Sequence, residues 1–129
     1  MKFSTRAEYG LRAMVNLAEN NGRLKSLRKI AREESVSIKY LERLFNILRK
    51  NNLVESQKGA NGGYALKAAP DQINVADIIV ALEGPIAPMK CIGKSCTMEY
   101  SCRSKIVWEK VGAQIEKTLQ NIKLNDLIK

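Results

Sequence analysis

Three cysteines, Cys91, Cys96 and Cys102, stand within twelve residues in a chain of 129 residues that contains no histidine. Thiolates at this C-x4-C-x5-C spacing can bind soft metals and clusters, or exchange to a disulfide. Three is an odd number for disulfides, and one short of the four protein ligands that tetrahedral zinc or an iron–sulfur cluster takes. The paired C-x2-C knuckles of structural zinc sites are absent. Only a carboxylate, a hydroxyl, water or an exogenous small thiol remains to complete a site. Glu99 and Tyr100 stand inside the same loop, although a phenol would have to ionise far below its ordinary range. A Cys96–Cys102 disulfide formed on oxidation is the alternative, so iron–sulfur, zinc and a thiol switch all stay open at this point.

The rest of the chain must say what such a site serves. No apolar run approaches the roughly 20 residues that cross a bilayer, and "MKFSTRAEYG" lacks the apolar stretch of a secretory signal. A cytoplasmic protein is the expectation, and in a reducing cytosol clustered thiols point to metal or redox chemistry. Charge is unevenly placed within the total of +9. Residues 1–67 carry fourteen Lys/Arg against six Asp/Glu, whereas residues 68–129 carry eight against seven. A first half this basic suits a polyanion, because each neutralised phosphate releases counterions.

The basic half reads as helices and a hairpin. "TRAE" matches a capping box, with Thr5 as cap and Glu8 bonding back, and Leu11, Met14, Val15 and Ala18 follow at helical spacing. Gly22 is a candidate left-handed terminator. Ser26 caps "LRKIAREES"; after a tight "SVS" turn, Ser37 caps "IKYLERLFNILRKNN", whose buried face is Leu41, Leu44, Phe45 and Leu48. This is a helix-turn-helix pattern, and Lys39, Tyr40, Glu42 and Arg43 lie where recognition helices meet base edges. "LVESQ", "KGANGG" and "YALKA" then form a β-hairpin, a wing with Lys58, Gly59, Asn61 and Gly62 at its tip. The glycines do not make a nucleotide loop, since no GK[ST] ending or helix follows them.

In the second half, Asn74 caps "VADIIVALEG", which Gly84 ends. Pro85 and Pro88 lead into the cysteine loop. From Arg103 a helix is expected to residue 122, with Trp108, Val111, Ile115, Leu119 and Ile122 as an apolar seam. Burial against the same helix of a second subunit is the economical solution, and a two-fold dimer suits a palindromic duplex. Packing inside the chain is the alternative. The organisation expected is a winged helix-turn-helix DNA-binding domain over 1–70, then 71–129 with a loop at 85–102 and a dimerisation helix at 103–122. The fold class is mainly α with a small β-hairpin wing.

"FSTRAEYGLRAMVNLA", "SIKYLERLFNILRKNNLVES", "KGANGGYAL", the three-cysteine loop and the terminal "NIKLNDLI" together resemble the Rrf2 family of bacterial transcription regulators, in particular its IscR-type branch. The resemblance covers essentially the whole chain. It implies a homodimer on a palindromic operator in double-stranded DNA, and an iron–sulfur cluster, 2Fe–2S in that branch, held by Cys91, Cys96 and Cys102. Control of cluster-assembly genes is implied too, with cluster-donor proteins as further partners. Related members sense nitric oxide, or lack the cysteines and respond to cysteine metabolism. The resemblance also places Glu42 where operator classes are discriminated, Lys39, Tyr40 and Arg43 beside it, and Lys58 at a basic wing position.

Two departures stand out. The first cysteine spacing is four residues where family members have five. Where the IscR-type branch has a histidine three residues after its last cysteine, this chain has Lys105, and a protonated lysine has no lone pair to give. Some relatives set an acidic residue at the start of the first helix against the partner subunit's cluster, which makes Glu8 the leading fourth ligand. With the resemblance, the order becomes iron–sulfur, then thiol switch, then zinc. A thiol oxidoreductase is disfavoured, for CxxC, a histidine base and alternating strands and helices are all missing. A zinc- or thiol-containing interaction protein using the long helix is the reading from another class.

Overall fold

A computed structural model describes residues 2–88 and 102–128. Helices α1 (Thr5–Glu19), α2 (Leu27–Glu34) and α3 (Ile38–Lys50) are followed by an antiparallel hairpin, β1 (Val54–Gln57) and β2 (Gly63–Leu66). A 3-10 turn, Pro70–Gln72, leads to α4 (Val75–Glu83), and α5 (Lys105–Gln120) precedes a last 3-10 turn, Leu124–Leu127. The architecture is mainly helical with a hairpin wing.

The helix starts are set by serines and an asparagine. Ser26, Ser37 and Asn74 accept from the backbone N–H groups of Lys29, Tyr40 and Asp77, satisfying donors that a helix leaves orphaned. At α1 the expected cap is displaced by one residue. Ser4, not Thr5, is the N-cap, and its Oγ accepts from the Ala7 N–H at 3.2 Å. Glu8 therefore takes no part in a capping box. The reciprocal carboxylate comes instead from Glu83 at the end of α4: its oxygens accept the Ser4 N–H at 3.1 and 2.9 Å, and the Ser4 hydroxyl as well. The end of α1 is left-handed over two residues. Gly22 is left-handed as expected, at φ 68°, and Asn21 before it is left-handed too, at φ 59°; Asn21 N–H bonds Ala18 O while Gly22 N–H bonds Leu17 O.

One core joins both halves of the sequence. Met14, Leu17, Ile30, Leu41, Leu44, Phe45 and Leu48 pack in the same cluster as Ile73, Ile78 and Leu82 of the α4 region. Leu124, beyond α5, is fully buried in it. The chain returns there through a short antiparallel bridge, Asn74 to Lys123, in which Val75 N–H bonds Ile122 O and Leu124 N–H bonds Ile73 O, both at 2.8 Å.

Helix α5 is shorter than the apolar periodicity suggests. Ile122 falls beyond its end and, with Leu119, packs on Ala7, Val75 and Ile79 of the same chain. The only buried residue of α5 is Gly112, and a Cβ there would lie 3.0 Å from the Pro88 ring. The segment entering the cysteine loop thus rests on the middle of α5. Val111 is exposed, as are Ile106 and Val107 at 58% and 51%. Trp108 and Ile115 are half-buried.

Candidate nucleic-acid interface and thiol site

The turn between α2 and α3 is sharp because Ser35 adopts a left-handed conformation at φ 57°, letting Val36 N–H return to Ala31 O. Helix α3 then buries Leu41, Leu44, Phe45 and Leu48 and leaves Lys39, Glu42, Arg43, Asn46 and Arg49 exposed. Neither Lys39 nor Arg43 has a carboxylate within ion-pair distance among the described residues, so both charges remain available to phosphate. Tyr40 is half-buried, braced by Tyr9 of α1 in an edge-on contact at 6.2 Å. The Arg12 guanidinium lies 4.9 Å over the Tyr9 ring and is itself fixed by the Glu34 carboxylate at 3.2 Å and the Glu34 carbonyl at 3.0 Å.

The wing is locked to the helices from two sides. Tyr64 of β2 packs on Phe45 of α3, the rings tilted at 52° with centroids 4.8 Å apart. On its other side Tyr64 pairs with Lys25, N–H to O at 2.9 Å in both directions, so the residue before α2's cap acts as a third strand one residue long. That approach demands a glycine: a Cβ at Gly63 would lie 2.2 Å from the Lys25 carbonyl. At the tip, Lys58, Gly59 and Asn61 are exposed, Gly62 is half-buried, and Gly62 N–H closes onto Gly59 O at 3.0 Å. The sequence thus places Lys39, Glu42, Arg43 and Lys58 on exposed surface of two elements that Phe45 and Tyr64 hold together. Asn46 and Arg49, hydrogen-bonded at 2.8 Å, were legible as further exposed positions on the α3 repeat but escaped the motif reading.

Of the cysteines, Cys102 is described; Cys91, Cys96, Glu99 and Tyr100 lie outside the described residues. Cys102 sits just ahead of α5, half-exposed, with its Sγ 3.2 Å from the Ser104 hydroxyl. That hydroxyl, and then the Lys105 backbone N–H, hold the Cys102 thiol below its ordinary range. Unpaired N–H groups at a helix start favour an anion there, so the thiolate form is stabilised. Such a sulfur fits a cluster or metal, and donors to it are the kind that tune a cluster's potential. Glu8 is exposed, with no hydrogen bond or ion pair to its carboxylate among the described residues, and so is free to act as a ligand. It lines an apolar groove of ≈ 380 Å³ with Phe3, Leu11, Val75, Ile79 and Leu119. Leu119 and Cys102 flank opposite ends of α5, whose 16 residues span about 24 Å. Within one chain, Glu8 and Cys102 are therefore kept apart.

Comparison with known proteins places this geometry. The family model described as "Iron-dependent Transcriptional regulator", Rrf2, matches residues 3–129. The chain belongs to the Rrf2 family. Members bind DNA and act as dimers, and the class is a non-enzymatic one. The Bacillus subtilis regulator CymR is 38% identical over 98% of this chain and 89% of its own length. The IscR of Sodalis glossinidius is 33% identical over 99% of this chain and 79% of its own. Among solved structures, CymR, the global cysteine regulator of B. subtilis, superposes with a TM-score of 0.80 at 37% identity, covering 98% of this chain and 95% of that one. IscR from T. potens does so at 0.78 and 41% identity, covering 98% and 85%. Rrf2 members similar to this chain thus include both IscR and CymR regulators, and none of its described helices is long and apolar enough to cross a membrane.

Proposed function

We propose that this Rrf2 protein is a cytoplasmic, cluster-responsive transcription regulator, holding a 2Fe–2S cluster on Cys91, Cys96 and Cys102 and controlling genes for cluster assembly. The observation that carries the reading is Cys102: the last of three clustered thiols, stabilised as thiolate at the start of a helix whose exposed Ile106, Val107 and Val111 await a partner. A bound cluster supplies an occupant whose presence reports iron, sulfide and oxidant levels. Glu8 completes the set from the second subunit, in keeping with its separation from Cys102 along α5. The partner helix pairs along Trp108, Val111 and Ile115, while Leu119 and Ile122 serve mainly inside the chain.

The route from loop to DNA runs through contacts already described. Glu83, one residue before the loop-side Gly84, clasps Ser4 at the start of α1. Helix α1 carries Glu8 on one turn and, beside it, Tyr9, whose ring braces Tyr40 on α3. Loop occupancy alters DNA choice only insofar as the two forms of this chain of contacts bind DNA with different free energy.

The test is the visible spectrum of freshly purified protein under anaerobic conditions, paired with retention of duplex DNA at rising salt. Structured visible absorption that disappears in Cys91→Ser, Cys96→Ser or Cys102→Ser supports the reading. A colourless protein that still binds DNA overturns the cluster while leaving the regulator. A second reading then takes its place, a thiol-redox regulator, favoured by the activated Cys102 thiol and the 34% identity to the oxidized form of Staphylococcus aureus CymR.

A further inference from the structure

Among the described residues, the exposed large hydrophobic side chains are Phe3, Val80, Ile106, Val107, Val111, Leu127 and Ile38. Six belong to the start of α1, to α4, to α5 or to the last turn. Ile38 alone lies on the DNA-facing elements. It is the first residue of α3, 38% exposed, and packs in neither core cluster. Packing inside the chain therefore leaves more than a third of the residue uncovered, and a β-branched residue is a mediocre choice for a helix start.

Its placement supplies the reason. Cα–Cβ bonds tilt toward a helix's N-terminus, so the side chain of the first residue projects past the helix end. When that end enters the major groove, the projecting group meets the groove floor. The neighbours are polar or charged: Ser37 accepts the Tyr40 N–H at 3.1 Å, Lys39 follows, and Glu42 lies one turn on. An aliphatic group amid them has one complementary partner in the major groove, the 5-methyl group of thymine. The cap fixes the backbone, and β-branching leaves essentially one χ1 rotamer in a helix, so little freedom is lost on contact.

We propose that Ile38 is a specificity residue that reads a thymine methyl group in each half-site of the operator. The proposal rests on DNA binding by this Rrf2 chain and not on the cluster. The probe is the duplex that the full chain selects from random-sequence duplexes, resynthesised with single thymines replaced by deoxyuridine, which lacks only the methyl. Expected is one symmetry-related thymine pair whose replacement weakens binding about fourfold per half-site, the equivalent of burying one methyl group. Ile38→Ala should bind thymine and uracil duplexes equally within about twofold, with the salt dependence of binding unchanged because phosphate contacts are untouched. Ile38→Val, keeping the β-branch, should discriminate to an intermediate degree. Selection of a sequence whose every uracil form binds the unaltered protein equally overturns the role of Ile38 alone, as does full discrimination retained by Ile38→Ala. Selection of no sequence overturns DNA reading altogether, and Ile38's part with it.

Discussion

The Tyr9 ring meets the Tyr40 ring edge-on, centroids 6.2 Å apart and planes at 85°, so the first helix braces a residue on the first turn of the third. An aromatic pair of this kind contributes about 0.5–1.5 kcal/mol beyond burial. Tyr9→Ala is expected to weaken operator binding several-fold in an equilibrium anisotropy titration, whereas Tyr9→Phe, which keeps the ring, should bind as the unaltered protein does. Equal losses in both would place the effect on the hydroxyl instead.

Ser4 and Thr5 give opposite expectations for neighbouring hydroxyls. Ser4 caps α1 and donates to Glu83; Thr5 is exposed and caps nothing. Ser4→Ala should cost about 1–2 kcal/mol in denaturant unfolding, the usual range for a lost cap, and Thr5→Ala close to nothing. A Thr5 effect of similar size would restore the capping box that the sequence suggests.

Gly63→Ala tests how the wing is attached. The new methyl would collide with the Lys25 carbonyl, so the hairpin must move from α2's leading residue or the chain must strain. A loss of about 2–3 kcal/mol and weakened DNA binding are expected, read by thermal unfolding and by anisotropy. Unchanged values in both would mean that the Lys25–Tyr64 pairing is dispensable.

The Glu33 carboxylate is held below its ordinary range, first by the Lys25 ammonium at 2.5 Å and then by the Asn16 amide at 3.1 Å. A folded-state depression adds stability above the unfolded carboxyl's pKa, about 4.3, and that stability is lost as pH falls through the lower folded value. Glu33 is well exposed, so the gain is about 0.5 kcal/mol at pH 7. Glu33→Gln should therefore unfold slightly earlier than the parent at pH 7, and the difference should shrink as pH falls below the unfolded carboxyl's range. A gap that persists in acid would rule out ionisation as its source.

The helix-turn-helix and wing were legible because local signals and the global fold agree there. Ser26 and Ser37 each precede an apolar stripe, and the glycines of 59–63 stand between two short strand-like runs, as a hairpin turn requires. The misplacements have identifiable physical causes. Ser4 and Thr5 are comparable caps by type, and the choice between them is made by Glu83, 79 residues away. The apolar spacing of α5 continues in register to Ile122, but the backbone leaves the helix at Asn121 to bridge Asn74, which no periodicity records. The proposed fourth ligand is the least legible feature, because a site shared between subunits would leave only half its pattern in one chain. With Ser4 as the cap, Glu8 has no capping role, which is compatible with the ligand role proposed for it.

Leu124 has a consequence for how the protein is made. Replacing it with Ala should cost about 2–5 kcal/mol, read by urea unfolding, even though it lies some sixty residues past the wing. On the ribosome, residues 1–70 emerge with their core unfilled, lacking Ile73, Ile78, Leu82 and Leu124. Contacts of such long sequence separation close late and slowly. A translation product cut short before residue 124 is therefore expected to lack a finished winged-helix core, so that the helix-turn-helix matures only after the cysteine loop and α5 have been synthesised.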